Sequence, residues 1–350
     1  MKILISSLKF GVGHVAHLRA YMQLVKSCGY EAAAFVNGRY IEFLDRTSCE
    51  FFDNREQIKL FSPDVAIIYN TGFEDINFLK FCKSEHIKTI FVLHEPYMGI
   101  RELLKDGDYC VKEAVGSMLN SYLCSKADLV FLSSKYAIEN CKKYMPRAYK
   151  KSAEFPLIFQ DSFLMKGKRK YFSLIGGYAY SHGSDIFLDF IKKSYRTNNI
   201  LFQIATRNNI EEQLNDPIIK KMIESERLVV KQGKALSSEE IDAAYRSSIC
   251  TWNGYRRSTQ SGVLANSYMQ GTPVIATNVG SFNEYVSDGK TGKIIGNFEY
   301  ETLLNSYLEV SNNIETMEKC CRDTFKTYFF YANQKDIFTK IMTQFMRDSI

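Results

Sequence analysis

Thr259-Gln260-Ser261-Gly262-Val263-Leu264-Ala265-Asn266-Ser267-Tyr268-Met269-Gln270-Gly271-Thr272-Pro273-Val274-Ile275-Ala276-Thr277-Asn278-Val279-Gly280 is the most informative stretch of this 350-residue chain. Ser261-Gly262 opens a helical run that stops at Gly271, and Pro273–Thr277 is a short apolar strand. A helix that starts with Ser-Gly exposes uncapped N–H groups. Those groups and the helix dipole suit a pyrophosphate. Glu284, Asp288-Gly289 and Thr291-Gly292 follow in the same ordered pattern.

Working outward, strands alternate with helices almost throughout. In the first half, Lys2–Ser7, Glu31–Val36, Val65–Tyr69, Thr89–His94 and Leu129–Ser133 are apolar, β-rich runs, and a helical pattern covers His14 to Cys28. The pattern then restarts. Tyr171–Ile175 leads into Gly176-Gly177, with a helix near Asp185–Ser194 and a strand at Ile200–Ala205. Ser237 and Glu240 form a capping box for a helix over Ile241–Arg246, and Ile249–Trp252 precedes the stretch quoted above. Apolar strands alternating with helices predict parallel sheets covered on both faces. The chain therefore reads as α/β, with two Rossmann-like domains facing a cleft. Glu315–Ile350 reads as helical and rich in aromatic residues.

Composition bounds the class. Hydrophobic residues make up 45% and charged residues 24%, which excludes a disordered or fibrous chain. No run approaches the ~20 apolar residues of a membrane span, and the apolar run in MKILISSLKF is too short for a signal peptide. The nine cysteines include no CxxC pair and no zinc spacing, so they are expected to be free thiols in a reducing cytoplasm. The net charge of +6 is concentrated: residues 142–170 hold nine Lys/Arg against Glu154 and Asp161. Such a patch attracts anionic headgroups, at about 1 kcal/mol per cation near an anionic membrane, unless it is simply a solvated linker face.

In open α/β sheets, ligands bind beyond the carboxyl ends of the strands, so the residues there are the candidates. Gly11-Val12-Gly13-His14-Val15-Ala16 fits G-x-G-x-x-A after a strand. A dinucleotide site also needs an acid at the end of the second strand. That strand ends Phe35-Val36-Asn37, and its acid, Glu31, is at the wrong end. Gly11, Gly13 and His14 are thus candidates for a ligand- or phosphate-facing loop rather than a nicotinamide site. His94, followed by Glu95-Pro96, ends the Thr89–His94 run. A histidine there can bond a sugar hydroxyl or exchange a proton. Asp106-Gly107-Asp108 spells D-x-D but follows a helical run and reads as a turn; Gly289-Lys290-Thr291 lacks the upstream glycine of a P-loop.

The segment from about Ser258 to Gly292 resembles the donor-binding core of GT-B glycosyltransferases of the large retaining group called family 4. That group shows paired glutamates eight residues apart, then A-x-G-x-P-V-I-A-T, a glycine pair, and E-x-V-x-D-G-x-T-G. Weaker matches lie at Gly11–Gly13, His94, Ala127–Ser134 and Ser237–Tyr245. Ser258 and Asn266 stand where the family has its glutamates, and Gly177 and His182 stand where it has an Arg and a Lys. Asn266 can still bond a ribose hydroxyl. A protonated His182, with Arg207, Arg256 or Arg257, is the expected source of the missing charge.

The resemblance implies residues 1–165 as an acceptor-binding domain and 166–325 as a nucleotide-sugar donor-binding domain. It implies 326–350 as a C-terminal helix crossing back to the first. It implies sugar transfer with retention, using a nucleotide-sugar co-substrate and no cofactor or metal. His94 would be catalytic. His182, Arg207, Ser258, Ser261, Gly262, Val263, Leu264, Asn266 and Glu284 would bind the donor. With the basic stretch, a glycan or lipid-linked acceptor in cell-surface polysaccharide assembly is expected, on the cytoplasmic face of the membrane and without nucleic acid. The alternatives are a catalytically silent scaffold, a nucleotide-sugar epimerase on the same fold, and an NAD-dependent oxidoreductase.

Overall fold

A computed structural model of the chain describes residues 1–44, 49–94, 110–164 and 167–347. Glu95-Pro96, Asp106-Gly107-Asp108 and Lys166 lie outside the described residues. The chain forms two compact units, the first built from Met1–Gln160 and Tyr328–Ile350, the second from Asp161–Thr327.

Unit 1 holds seven parallel strands in the order β3-β2-β1-β4-β5-β6-β7. They are β1 (Lys2–Ser7), β2 (Glu31–Val36), β3 (Glu50–Phe51), β4 (Val65–Ile68), β5 (Lys88–Leu93), β6 (Leu129–Leu132) and β7 (Ser152–Glu154). Alternation along β1 sends Ile3 and Ile5 into one apolar cluster and Leu4 into another, so both faces of the sheet are covered. Unit 2 repeats the arrangement with six parallel strands, β10-β9-β8-β11-β12-β13. These are β8 (Tyr171–Ile175), β9 (Leu201–Ala205), β10 (Leu228–Lys231), β11 (Ser248–Asn253), β12 (Val274–Thr277) and β13 (Gly292–Ile295). In each unit the order reverses beside the first strand: between β1 and β4, and between β8 and β11. Those are the switch points where an open α/β sheet leaves a crevice.

The central strands match the apolar runs read from sequence. The short strands β3, β7, β10 and β13 do not stand out there. All four lie at or near a sheet edge, and Ser152-Ala153-Glu154 carries no apolar run. The C-terminal stretch is not one helix. Helices Ile314–Tyr328 and Lys335–Arg347 are separated by a break and a 3-10 turn, Tyr331–Gln334. At the break the Phe159 N–H donates to Phe329 O (2.8 Å) and the Tyr331 N–H to Phe159 O (3.1 Å). This extended pairing cannot coexist with helical bonds at the same residues. Phe338 and Met342 of the last helix are fully buried in the core of unit 1 with Phe131 and Phe155. Burying such side chains contributes about 1.5–3 kcal/mol each.

Candidate functional site

In unit 2, β8 ends at Ile175 and the chain turns through Gly176, Gly177, a 3-10 turn (Tyr180–His182) and Gly183 into helix Ser184–Thr197. Gly183 has φ +64, and a Cβ there would sit 2.2 Å from the Gly254 carbonyl oxygen. Only glycine fits this loop against the segment after β11. The His182 Nδ1–H donates to Gly177 O (2.8 Å), and its ring stacks on Tyr255 at 4.4 Å. Burial lowers the His182 pKa, outweighing the bond to Gly177 that raises it. Burial thus works against the charged form of the ring.

Arg256 is also committed elsewhere. It makes a bidentate pair with Asp185 (2.6 and 2.7 Å) and lies over the Tyr180 ring. Arg207 is exposed and has no partner among the described residues. It neighbours Asn208, whose Oδ1 accepts the Tyr178 N–H (2.9 Å) and the Thr206 hydroxyl (3.1 Å), tying the glycine loop to β9.

Helix Gly262–Met269 begins without any side-chain cap from Ser261. The Ser261 hydroxyl points instead at the Tyr255 hydroxyl (3.4 Å). The first-turn N–H groups of Gly262, Val263 and Leu264 thus have no side-chain partner at Ser261. Val263 abuts the β8 loop, since a Cβ on Gly176 would meet its Cγ2 at 3.1 Å. Asn266 lies one turn further along, half-buried. Ser258 donates its hydroxyl to Gln260 O (2.9 Å). Gly280, with φ +58, passes so close to Ser258 that a Cβ would lie 2.1 Å from its carbonyl oxygen. The Ser281 N–H donates to Thr259 O (3.1 Å), and Glu284 follows in a short half-buried helix, Phe282–Tyr285. The structure therefore gathers Gly176–His182, Ser258–Asn266 and Gly280–Glu284 at the carboxyl end of one sheet. Arg207 stands at the end of β9, one strand away from β8.

Trp252 is a core residue: it is 2% exposed and its Nε1–H donates to His182 O (3.1 Å). The strand ends one residue later, at Asn253. Sequence reasoning missed Asn253 and Tyr255.

Unit 1 presents different chemistry at its own switch point. His14 and His94 stack at 5.3 Å, and Tyr69, the residue after β4, meets His94 edge-on at 4.5 Å and His14 at 5.4 Å. His17 packs on Phe159 at 4.4 Å and donates from Nδ1 to Ile158 O (3.0 Å). The His94 Nε2–H donates to Tyr69 O (3.2 Å), which makes Nδ1 its acceptor nitrogen. Burial lowers the His14 pKa to about 4 and that of His17 to about 3, and takes His94 well below 6.5. The cluster is uncharged near pH 7. Gly11 gives its N–H to the Tyr40 hydroxyl (2.8 Å), while Gly13 is exposed and a Cβ there would meet nothing within 4 Å. Sequence reasoning missed His17 and Tyr69. His17 stands at i+3 from His14, a spacing that places both on one helical face.

The basic stretch divides. Lys142 and Lys143 lie over the Tyr149 and Tyr144 rings in unit 1, and Lys151 donates to the Ser125 (3.0 Å) and Ala127 carbonyls. Arg169, in unit 2, is spent inside the protein. It donates to Ser248 O (2.8 Å), the Thr272 hydroxyl (2.7 Å) and Gln270 O (2.8 Å), and pairs with Glu318 at 3.4 Å. Among the described residues, no helix is long and apolar enough to cross a membrane, and no group of three His, Cys, Asp or Glu could hold a metal ion. Cys28, Cys49, Cys82, Cys124, Cys141, Cys250, Cys320 and Cys321 are free thiols.

Residues 169–313 match the family model described as Glycosyl transferases group 1. A search of curated protein sequences finds no match. Among solved structures, sucrose-phosphate synthase from Thermosynechococcus elongatus superposes with a TM-score of 0.75 at 11% identity, covering 99% of both chains. Anabaena HepE, solved in complex with UDP-glucose, gives 0.70 at 13% identity, covering 98% of this chain and 100% of that one. A glycosyltransferase from Rickettsia africae ESF-5 gives 0.71 at 11% identity, covering 99% and 98%. The chain has the GT-B fold of these structures, and its segment 169–313, which includes the uncapped helix of the second sheet, is similar to the group 1 glycosyl transferase model.

Proposed function

We propose that the chain transfers a sugar from a nucleotide-activated donor to a glycan or lipid-linked acceptor, with retention of configuration, in cell-surface polysaccharide assembly. The observation that carries this reading is the uncapped N-terminus of helix Gly262–Met269, flanked by the Gly176 and Gly280 loops within the family-matched segment. Departing diphosphate charge is stabilised there by N–H groups already in place. Asn266 takes a ribose hydroxyl and Arg207 adds the cation. A UDP-sugar is the first donor to try, because HepE was solved with UDP-glucose. In unit 1 the neutral His14, His94 and Tyr69 cluster suits hydroxyl groups rather than phosphates. His94 accepts a hydrogen bond or proton through Nδ1.

Calorimetric titration with a panel of nucleoside diphosphates tests the donor site. Micromolar binding of one diphosphate, weakened by Asn266→Ala or Arg207→Ala, is the expected result. A second reading, a catalytically silent scaffold, draws on the short Ser258 side chain turned to Gln260 O and on the commitment of Arg256 to Asp185. Binding of no nucleotide would select it.

A further inference from the structure

Strand β11 sends alternate side chains to opposite faces. Cys250 and Trp252 enter one apolar core, while Thr251 faces the other way, its hydroxyl 2.8 Å from that of Ser267 on helix Gly262–Met269. Asn253 shares the Thr251 face, two residues nearer the carboxyl end of the strand. The helix runs back from that end, so four residues before Ser267 comes Val263, in its first turn. Asn253 therefore lies beneath the uncapped N-terminus. It is fully buried, and neither Oδ1 nor Nδ2 has a hydrogen-bond partner. On the neighbouring strand's exit loop, Ser281 is 1% exposed and its hydroxyl also lacks a partner. A buried amide with both ends unsatisfied is costly and seldom retained without a reason.

We propose that Asn253, assisted by Ser281, is a neutral phosphate reader for a nucleoside diphosphate sugar. This rests on the nucleotide-sugar reading above and adds a residue to it. Nδ2 and the Ser281 hydroxyl donate to phosphate oxygens at the helix N-terminus. Oδ1 accepts from a hydroxyl of the sugar that the phosphate carries. Neutral donors are needed because the Gly176–Ser184 loop contains no Lys or Arg and Arg256 is held by Asp185. With the amide fully buried in this structure, engagement entails a shift of the 254–261 segment that leads into the helix.

The experiment is calorimetric titration of UDP, GDP and ADP, with the matching nucleoside as control, into wild type, Asn253→Leu, Asn253→Asp and Ser281→Ala. The Tm of each free protein is measured alongside. Asn253→Leu is expected to raise Tm, because it removes the orphaned amide. It should weaken the preferred diphosphate at least tenfold and leave the nucleoside unchanged. Asn253→Asp, isosteric but anionic, should abolish diphosphate binding and spare the nucleoside. Ser281→Ala should weaken the diphosphate about threefold. An Asn253→Asp protein that binds the diphosphate within twofold of wild type overturns the proposal. So does an Asn253→Leu protein with lowered Tm and unchanged affinity, since the amide would then serve the fold through a buried water. Wild type that binds no diphosphate overturns the nucleotide-sugar reading itself, and this inference with it.

Discussion

The two units share a topology and a switch point but use them differently. At the β1/β4 crevice the loop amide of Gly11 is already taken by the Tyr40 hydroxyl, and the walls are neutral rings: His14, His94 and Tyr69. At the β8/β11 crevice the helix amides are left uncapped and the walls are backbone, brought together by glycines that no other residue can replace. A glycine motif is therefore a poor guide by spelling alone. Gly13, in the better-spelled fingerprint, has open space around it. Gly183 and Gly280, in the poorly spelled loops, are held at positive φ against backbone oxygens. What separates the two loops is a close approach that a Cβ would forbid.

The sharpest way to break this contrast is at those glycines. Gly183→Ala combines a left-handed backbone, at about 1–2 kcal/mol, with an overlap that adds about 1–3 kcal/mol. Denaturant unfolding should show a loss of about 3 kcal/mol or more, against less than about 1 kcal/mol for Gly13→Ala. Equal losses would end the distinction. Next in size, His94→Ala should lower kcat about 100-fold, within the range for a lost acid–base or positioning group, while diphosphate affinity in unit 2 stays within twofold. A matching loss of diphosphate affinity would move His94 out of the chemical step.

The ring cluster also has a pH signature. Burial holds His14 at about 4 and His17 at about 3, below an unfolded value near 6.5. The unfolded chain binds more protons below 6.5, so their contribution to stability falls as pH drops from there toward 4 and 3. Asp75, pushed up to about 6 by burial, works in the opposite sense between 6 and its unfolded value. His17→Phe should remove about 3 kcal/mol of the loss between pH 7 and 4, read from urea midpoints across that range. The smallest effect belongs to the surface. Lys142→Glu with Lys143→Glu should change stability by no more than about 0.5 kcal/mol, yet abolish sedimentation with anionic vesicles. Unchanged sedimentation would remove the membrane from the proposal.

Most of the α/β pattern was legible because central parallel strands are buried on both faces and read as unbroken apolar runs. Edge strands such as Ser152–Glu154 carry no such signature. Charge counting treats every cation as a surface group, and Arg169 shows the error: its guanidinium bonds Ser248 and the Gln270–Thr272 turn inside unit 2. Asn253 carries no sequence signal of its own beside the large apolar ring of Trp252. The alternation along β11 sends the large ring to the core and the small amide to the face beneath the helix. His17 and Tyr69 needed the topology, since only the β1/β4 neighbourhood brings them to His94.

Unit 1 is also written in two instalments. Its last core side chains, Phe338 and Met342, are reached only after all of unit 2 has been synthesised. Domains fold as units during synthesis, at about 5–20 residues per second, so unit 2 can finish first although it comes second. Until then, the half of unit 1 already made must wait with Tyr30, Phe131 and Phe155 uncovered by the helix that packs on them. The unit first out of the ribosome is thus the last to mature, and for that interval it depends on whatever in the cell shields an unfinished core.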